Sequence, residues 1–570
     1  NQKIGDFATD DKTYILAWTT TLWTLPGNVG LAVNEDIDYV VVRKMREVMR
    51  DYTSRKDGYK EEYYIFSKSF FEDEKMGFIP DAVKKEDGQV RYFLGHLYRI
   101  ERKIKGIDLT MEISYQPLFD ISEFKKSETA YKIYPADFVS ATEGTGVVHT
   151  AVMYGEDDYQ LGKKVGLPTF HTVTEDGKFK KDIGLGDLEG RDVKAEETTK
   201  KILEILGDKV FHQEPYKHDY PHCWRCSTAL LYYARKAWWV RTTAVKKELL
   251  ANNEKINWVP LHLKHGRFGE FLRDVRDWCF SRERYWGTPL PIWKCEKCGE
   301  IEVIGSVEEL KKRAGALPRD ENKEINLHRP FVDEIAFTCA KKDCGGAMRR
   351  TPEVADVWFD SGAMPFAQNH YPFSSYEARP HKIVASALRP RNDELAYPAD
   401  YICEAVDQTR GWFYSMLAIA TLLGRSAPYK NVISLGHVLD AKGEKMSKSK
   451  GNIVSHDEMI GKYGVDALRW YFFTVNSPGD PKRFEEKDVA LRARGFVATL
   501  WNSFVFFDTY VKKPTTYNLQ PTTSQNVLDQ WILAKLNMLV GHVTAGLNEY
   551  DLVGAARVID QFTVNDFSQW

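Results

Sequence analysis

The sequence predicts a multidomain α/β protein, and three observations predict it. Residues 1–215 read mainly as strands, residues 216–480 alternate strands with helices around cysteine pairs, and residues 481–570 carry a helical apolar period. At 570 residues the chain exceeds one ordinary domain. Its 43% hydrophobic and 28% charged residues are globular composition with apolar material for several cores. A net charge of −2 excludes a global positive field, so any RNA contact has to come from local patches.

Taken in order, Tyr14-Ile15-Leu16-Ala17-Trp18, Tyr39-Val40-Val41-Val42 and Gly146-Val147-Val148-His149 are β-branched or aromatic runs bounded by Gly, Pro and Asn. They predict a β-rich, barrel-like first domain. Its one amphipathic helix is expected from Val193 to Leu206, ended by Gly207. The character changes at about Tyr216, and the strand–helix alternation that follows predicts a parallel sheet with crossovers. There Val432-Ile433-Ser434-Leu435-Gly436-His437 reads as a buried strand running into a polar loop. A helix opens at Ser455, with Glu458 completing a capping box, and stops near Gly464; Asp466 is expected to cap the next. Leu528, Ile532, Leu536, Leu539, Val543, Leu547 and Tyr550 form one apolar helical face, after a loop from Pro514 to Gln525. The longest apolar stretches, such as Met416 to Leu423, are too short for a membrane span. Starting at Asn1 and ending within helical-looking sequence at Trp570, both ends read as cut.

Of eight cysteines, six form three close pairs, a usage that suits metal sites in a reducing, cytoplasmic compartment. Cys295-x2-Cys298 and Cys339-x4-Cys344 read together as a four-thiolate zinc site within a zinc-knuckle insertion at about 293–350. Four thiolates leave no open position, so the zinc is structural; separate free thiols are the alternative. Cys223-x2-Cys226 is a half-site with no further pair to complete it. Cys279 and Cys403 are isolated, and burial is their default.

The most informative residues are Lys445-Met446-Ser447-Lys448-Ser449, followed by Lys450-Gly451-Asn452. Two lysines with interleaved serines just past a buried strand present cations and hydroxyls at the carboxyl edge of a sheet, where open α/β folds bind ligands. Such a loop suits expulsion of pyrophosphate, because cations there stabilise the charge building on the leaving oxygens. A solvated lysine loop is the alternative. The pentapeptide resembles the signature of the class I aminoacyl-tRNA synthetases. By that resemblance Lys445 and Lys448 are catalytic, and Met446, Ser447 and Ser449 complete an ATP-binding loop. The core is then the C-terminal half of a Rossmann-type catalytic domain, with ATP as substrate and Mg2+ beside it.

Glu404-Ala405-Val406-Asp407-Gln408-Thr409-Arg410-Gly411-Trp412-Phe413 and Asp356-Val357-Trp358-Phe359-Asp360-Ser361-Gly362 are similar to segments of the isoleucyl-tRNA synthetases. The resemblance gives Glu404, Asp407 and Gln408 to the adenylate, and Trp358 and Trp412 to the amino-acid pocket. A carboxylate pair and an amide are chemically able to grip an ammonium group and ribose hydroxyls. Core packing is the alternative for each tryptophan. Ala405 stands where the family has Gly. Ser281-Arg282-Glu283-Arg284-Tyr285-Trp286-Gly287 is a further family segment.

A pocket that accepts isoleucine rejects valine weakly, since one methylene is worth about 1–3 kcal/mol, as is known for this family. Residues 1–215 resemble the family's editing domain, which hydrolyses the wrong product. Trp18 to Asn28 is similar to its threonine-rich strand, placing Thr19, Thr20 and Thr21 at the ester, and Gly144 to His149 and Gly155 to Tyr159 resemble its second wall. By similarity Asp158 anchors the ammonium group and His149 shapes or polarises the site. Strand-forming threonines and a core histidine are the alternatives. Leu22 replaces a family Pro, and Val152-Met153 an Ala-Pro turn.

The resemblance implies an isoleucine–tRNA ligase with editing of valyl-tRNA(Ile), acting as a monomer on tRNA(Ile), isoleucine and ATP, away from membranes. Residues 481–570 would begin its α-helical anticodon-binding domain. The family's early His-x-Gly-His element and the partners of Cys223 and Cys226 are not in this sequence, so an internal fragment, inactive in activation by itself, is expected. The rivals are a valyl or leucyl enzyme, a stand-alone deacylase, and a tRNA-binding module. The lysine loop argues against the deacylase, which needs no pyrophosphate clamp.

Overall fold

The computed structural model describes residues 2–4, 7–10, 12–45, 61–73, 89–94, 96–110, 113–223, 226–368, 371, 397–447, 451–511 and 525–569. Lys448, Ser449 and most of the expected loop from Pro514 lie outside them. The chain forms two compact units, Asn1–Lys236 and Ala237–Trp570.

The first unit is built on eight principal strands: β1 (Thr13–Ile15), β2 (Gly30–Val33), β3 (Asp38–Met45), β4 (Tyr63–Ser67), β5 (Val90–Phe93), β6 (His96–Lys105), β7 (Lys132–Pro135) and β8 (Val148–Thr150). Five of them form a sheet in the order β1-β4-β3-β6-β5 and three form another, β8-β2-β7. Alternation along β3 explains their packing. Tyr39 and Val41 share a core with Leu31, Val33 and Ile133 of the smaller sheet. Val40 and Val42 instead pack with Phe66, Phe71 and Tyr98. A strand buried on both faces reads as the continuous apolar run seen in the sequence.

Helix α1 (Glu156–Val165) follows β8, and α2 (Glu196–Leu206) ends, as expected, at Gly207, whose φ is +49°. Its start is later than Val193, because the Val193 N–H is taken by Gly177 O and Asp192 organises a turn before the helix. The first unit also outlasts the compositional change at Tyr216. Ala234 N donates to Met153 O at 2.9 Å, and Tyr233 stacks on His171 at 4.1 Å between ring centroids.

The second unit holds a three-stranded parallel sheet, β9 (Asn257–Val259), a four-stranded antiparallel sheet, β10 (Ile292–Cys295), β11 (Ile301–Val303), β12 (Ala336–Thr338) and β13 (Ala347–Arg350), then α3 (Val357–Ala367) and the remaining parallel strands β14 (Ala399–Ala405) and β15 (Tyr429–Leu435). The parallel sheet has the order β9-β15-β14. Between β14 and β15 lies α4 (Trp412–Leu422), the crossover that parallel pairing requires. Phe413 to Thr421 are buried, and α4 packs with Trp258, Ile402 and Val432 of the sheet. Most of the apolar run from Met416 is therefore a core helix, and no helix among the described residues is long and apolar enough to cross a membrane.

Helix α5 (His456–Tyr463) is capped by Ser455, whose hydroxyl accepts from Glu458 N. The box is only half made, because the Glu458 carboxylate accepts from Lys462 Nζ at 2.6 Å instead. Asp466 does not cap α6 (Val465–Thr474). Gly464, at φ +84°, takes that place, and Asp466 pairs with Arg469 inside the first turn. Helix α7 (Val527–Asn548) covers the expected apolar period as far as Leu547, but Tyr550, at φ +59°, stands in the turn before α8 (Leu552–Gln561), and Ile532 is the only buried residue of α7. Leu528, Leu536 and Leu547 of its apolar face are exposed.

Candidate functional site

The lysine loop leaves the carboxyl end of β15, the central parallel strand. Gly436 makes the exit possible: its N–H donates to Pro478 O at 2.8 Å, and a Cβ there would lie 2.3 Å from Asp480 O. The chain then turns back tightly at Asp440, with Gly443 at φ +85°, so that Leu439 bridges to Lys445. Asp440 Oδ1 accepts from Lys442 N at 3.0 Å and Glu444 N at 2.8 Å, and Oδ2 accepts from Asn452 Nδ2 at 2.9 Å. Asn452 Oδ1 in turn accepts from Ser447 N at 2.9 Å. Lys445 is exposed, while Met446 packs partly against the cluster of Met459, Tyr471 and Phe484.

On the neighbouring strand Glu404 pairs in register with Ser434 and Ala405 with Leu435, so Glu404 and Asp407 sit at the same sheet edge from which the loop departs. Both carboxylates are exposed. Gln408 stands beside them: its Oε1 accepts from Trp412 N at 2.8 Å and caps α4, while its Nε2 reaches Asp407 Oδ2 at 3.5 Å. Trp358 reaches Gly411, the residue before Trp412: its ring stands 3.3 Å from where a Cβ of Gly411 would be. Trp412 Nε1 donates to Ser361 O at 3.2 Å. Gly362 lets α3 and α4 touch, since its Cβ would meet Ser415 at 2.8 Å. Arg282 gives the Ser281–Gly287 segment a function in this wall. It pairs with the buried Asp356, which also accepts from Trp358 N and so starts α3.

In the first unit, Trp18 bridges to Val148 of β8, but Thr19 to Thr21 are not a strand and Leu22–Gly27 is a 3-10 helix. Pro26 has no N–H for a ladder, and the chain tightens there instead. Thr19 Oγ1 accepts from Thr21 N at 3.0 Å, and Thr20 is exposed. Thr24 Oγ1 donates to Thr21 O at 2.7 Å and lies 3.0 Å from His149 Nε2. With the hydroxyl proton spent on Thr21, His149 Nε2 is the donor and Nδ1 is the bare acceptor. That Nδ1 is buried without a protein partner, and burial lowers the His149 pKa to about 4. Asp158 lies in the first turn of α1 and accepts from Ala151 N at 3.0 Å. Burial outweighs that bond and raises its pKa to about 6. The Gly144–Gly146 turn is tied down by Tyr39 Oη, which donates to Gly146 O at 2.6 Å, and by Ser67 N to Thr145 O at 2.8 Å.

A family profile described as tRNA synthetases class I (I, L, M and V) matches residues 15–482. The chain belongs to the class I tRNA synthetases. The isoleucine–tRNA ligase of Clostridium tetani is 42% identical over 565 residues, which is 98% of this chain and 48% of that protein. That of Dehalococcoides mccartyi strain CBDB1 is 43% identical over 579 residues, 98% of this chain and 52% of that protein. The chain spans about half the length of the curated relatives it matches. Among solved structures, the LeuRS–tRNA–LeuAMS ternary complex of Agrobacterium radiobacter K84 aligns at a TM-score of 0.40 and 18% identity, covering 96% of this chain and 53% of that one.

This synthetase chain gathers four of its cysteines on the antiparallel sheet. Cys295, Cys298, Cys339 and Cys344 place all their sulfurs within 4.8 Å of one another. The Cys295–Cys344 and Cys298–Cys339 separations are 3.6 and 3.8 Å. A tetrahedron of 2.3 Å metal–sulfur bonds has edges of about 3.8 Å, so the donor set fits a metal ion. The longer Cys339–Cys344 spacer is absorbed by Asp343, at φ +62°. Gly346 lies so near Cys295 that a Cβ would meet its sulfur at 2.7 Å. The Cys298 N–H draws the Cys295 thiol down to about 6. Backbone N–H bonds favour the Cys298 and Cys339 thiolates, but burial and the Cys295 and Cys344 sulfurs together push both thiols up. Four thiolates therefore need a cation to coexist. No third ligand joins Cys223 and Cys226 among the described residues, and Cys403, expected to be buried, is exposed.

Two residues escaped the sequence reading. Lys482 looks like any surface lysine, yet its buried Nζ donates to Ser477 O, Pro478 O and Asp480 O at 3.0 to 3.3 Å. It pins the loop against which Gly436 turns, and burial lowers its pKa. Thr24 stands inside the quoted threonine segment, but only the fold brings it to His149.

Proposed function

We propose that the protein to which this chain belongs is an isoleucine–tRNA ligase. It activates isoleucine with ATP and Mg2+ and transfers it to tRNA(Ile), with the second unit carrying the later half of the catalytic domain. Lys445 and Lys448 neutralise the departing pyrophosphate, with Met446, Ser447 and Ser449 completing the loop around ATP. Glu404, Asp407 and Gln408 hold the adenylate, and Trp358 and Trp412 bound the isoleucine side chain. The observation that carries this reading is the lysine loop leaving the central parallel strand beside Glu404 and Asp407, on a chain 42–43% identical to isoleucine–tRNA ligases. Position and charge together suit a leaving group that gains negative charge in the transition state.

The strand-rich, barrel-like first unit is the editing domain in this reading and hydrolyses valyl-tRNA(Ile). Thr19, Thr20, Thr21 and His149 shape the ester site, and Asp158 takes the ammonium group. Cys295, Cys298, Cys339 and Cys344 hold a structural zinc; it supplies charge neutralisation to the knuckle and no chemistry to the ligase. Cys223 and Cys226 are half of a second zinc site. The helices after residue 481 begin the anticodon-binding region. The test is isoleucine-dependent exchange of pyrophosphate into ATP by the whole protein. Lys445→Ala is expected to slow exchange about 100-fold with the fold retained; exchange at the unmutated rate would overturn the assignment.

A further inference from the structure

We infer that Asp440 and Asn452 are a positioning pair that sets the lysine loop for the triphosphate, a reading that rests on the ligase assignment above. Three observations bear on it. First, the two side chains close the loop at its neck. Asn452 Nδ2 donates to Asp440 Oδ2 at 2.9 Å, across a sequence separation of twelve within which Lys445 to Gly451 lie. Second, each partner is also fastened to the backbone of one arm. Asp440 Oδ1 receives Lys442 N and Glu444 N on the incoming arm. Asn452 Oδ1 receives Ser447 N, and its Nδ2 also reaches Lys445 O at 3.3 Å. Third, the base below the neck is rigid. Val438–Leu439 pairs in parallel with Lys482–Arg483, and Lys482 is fixed by three carbonyls.

The bond between the pair thus joins the two ends of the loop side chain to side chain, beside the bonds of Asn452 to Ser447 N and Lys445 O. The Asn452 amide, ahead of the Glu444 and Lys442 N–H groups, draws the Asp440 carboxyl below its ordinary range. Neither residue needs to touch ATP. They hold the backbone of Lys445 and Ser447 in one place, so that the lysine's charge arrives already aimed and little ordering remains for the reaction.

Donor and acceptor can be exchanged without changing shape, which gives a sharp test. Asn452→Asp sets two carboxylates against each other, and Asp440→Asn sets two amides with their donors facing. The double variant D440N/N452D restores one donor and one acceptor and keeps the side-chain oxygens that accept from Lys442 N, Glu444 N and Ser447 N, but sets a carboxylate oxygen where Nδ2 reached Lys445 O. In the whole protein, each single variant is expected to lower kcat of ATP–pyrophosphate exchange about 10-fold or more with a smaller change in KM for isoleucine. The double variant should recover most of that loss. In the 570-residue chain, trypsin cleavage at Lys442 and Lys445 should speed up in both single variants and slow again in the double, with thermal unfolding unchanged. A double variant no better than the singles in either assay overturns the inference, as do singles that match the unmutated protein. An unmutated whole protein that exchanges nothing would sink the ligase reading and the pair's role in it. The trypsin cycle would still decide, separately, whether the clamp exists.

Discussion

The two units place their candidate sites in opposite environments. In the second, Lys445, Glu404 and Asp407 are exposed charges, and precision comes from neighbours that fasten the backbone. In the first, His149 is buried and Asp158 half-buried, and the loss of water resets their proton affinities to about 4 and about 6. An exposed charge suits a large polyanion that brings its own counter-ions and is met at the surface. A half-buried carboxylate suits one small cation, whose recognition is worth more where water is excluded. The cysteines repeat the contrast: the second unit has a complete set of four thiols, the first an isolated pair.

The cysteine contrast gives the largest expected effect. Metal analysis of the purified chain should find one tightly held zinc, removable only with loss of the antiparallel sheet β10-β13. Metal-linked folding energies of this kind are on the order of 10 kcal/mol. Chelation, or Cys295→Ser, should therefore open residues 292–350 to protease while the first unit keeps its thermal transition. A chain with no zinc and an unchanged digestion pattern would break the contrast.

The half-buried carboxylate supplies the next effect, and its sign follows from the direction of the shift. Asp158 rises from an ordinary 3.8 to about 6 in the folded chain, so the folded state holds its proton more tightly than the unfolded one. The stability from this group is present below about pH 4 and is lost as pH rises toward 6, amounting to about 2–3 kcal/mol. An ammonium ligand needs the ionised form, so hydrolysis of valyl-tRNA(Ile) should fall as pH drops through 6. Asp158→Asn keeps an acceptor for Ala151 N, flattens the stability profile between pH 4 and 6, and abolishes hydrolysis at every pH. The same stability slope in that variant would show that another group titrates.

How much of this was legible depends on how local each feature is. The Gly207 stop and the Cys295–Cys298 turn are written in consecutive residues, and each is where the sequence put it. The threonine segment, expected as a strand by resemblance, instead coils into a 3-10 helix at Leu22–Gly27, since Pro26 cannot join a ladder. Asp466 and Glu458 were misplaced because a carboxylate near a helix start can cap or can pair with a lysine or arginine one turn on. Lys482 and Asn452 were invisible as structural residues, since carbonyl cages and loop necks have no spacing rule.

Thr24 tests the buried site most finely. Its hydroxyl gives its proton to Thr21 O and accepts from His149 Nε2, which fixes the neutral histidine with its proton on Nε2. Thr24→Val keeps the shape but strands both the carbonyl and the ring nitrogen in a buried place, at a cost of about 1–3 kcal/mol. Thr24→Ser keeps the bonds and should cost less. Nitrogen-15 NMR at pH 7 should show His149 as the Nε2–H tautomer in the unmutated chain and a mixture in Thr24→Val. A proton found on Nδ1 would mean that the Thr24 hydroxyl points the other way. The buried wall of the first unit would then be held by a different donor from the one the geometry assigns.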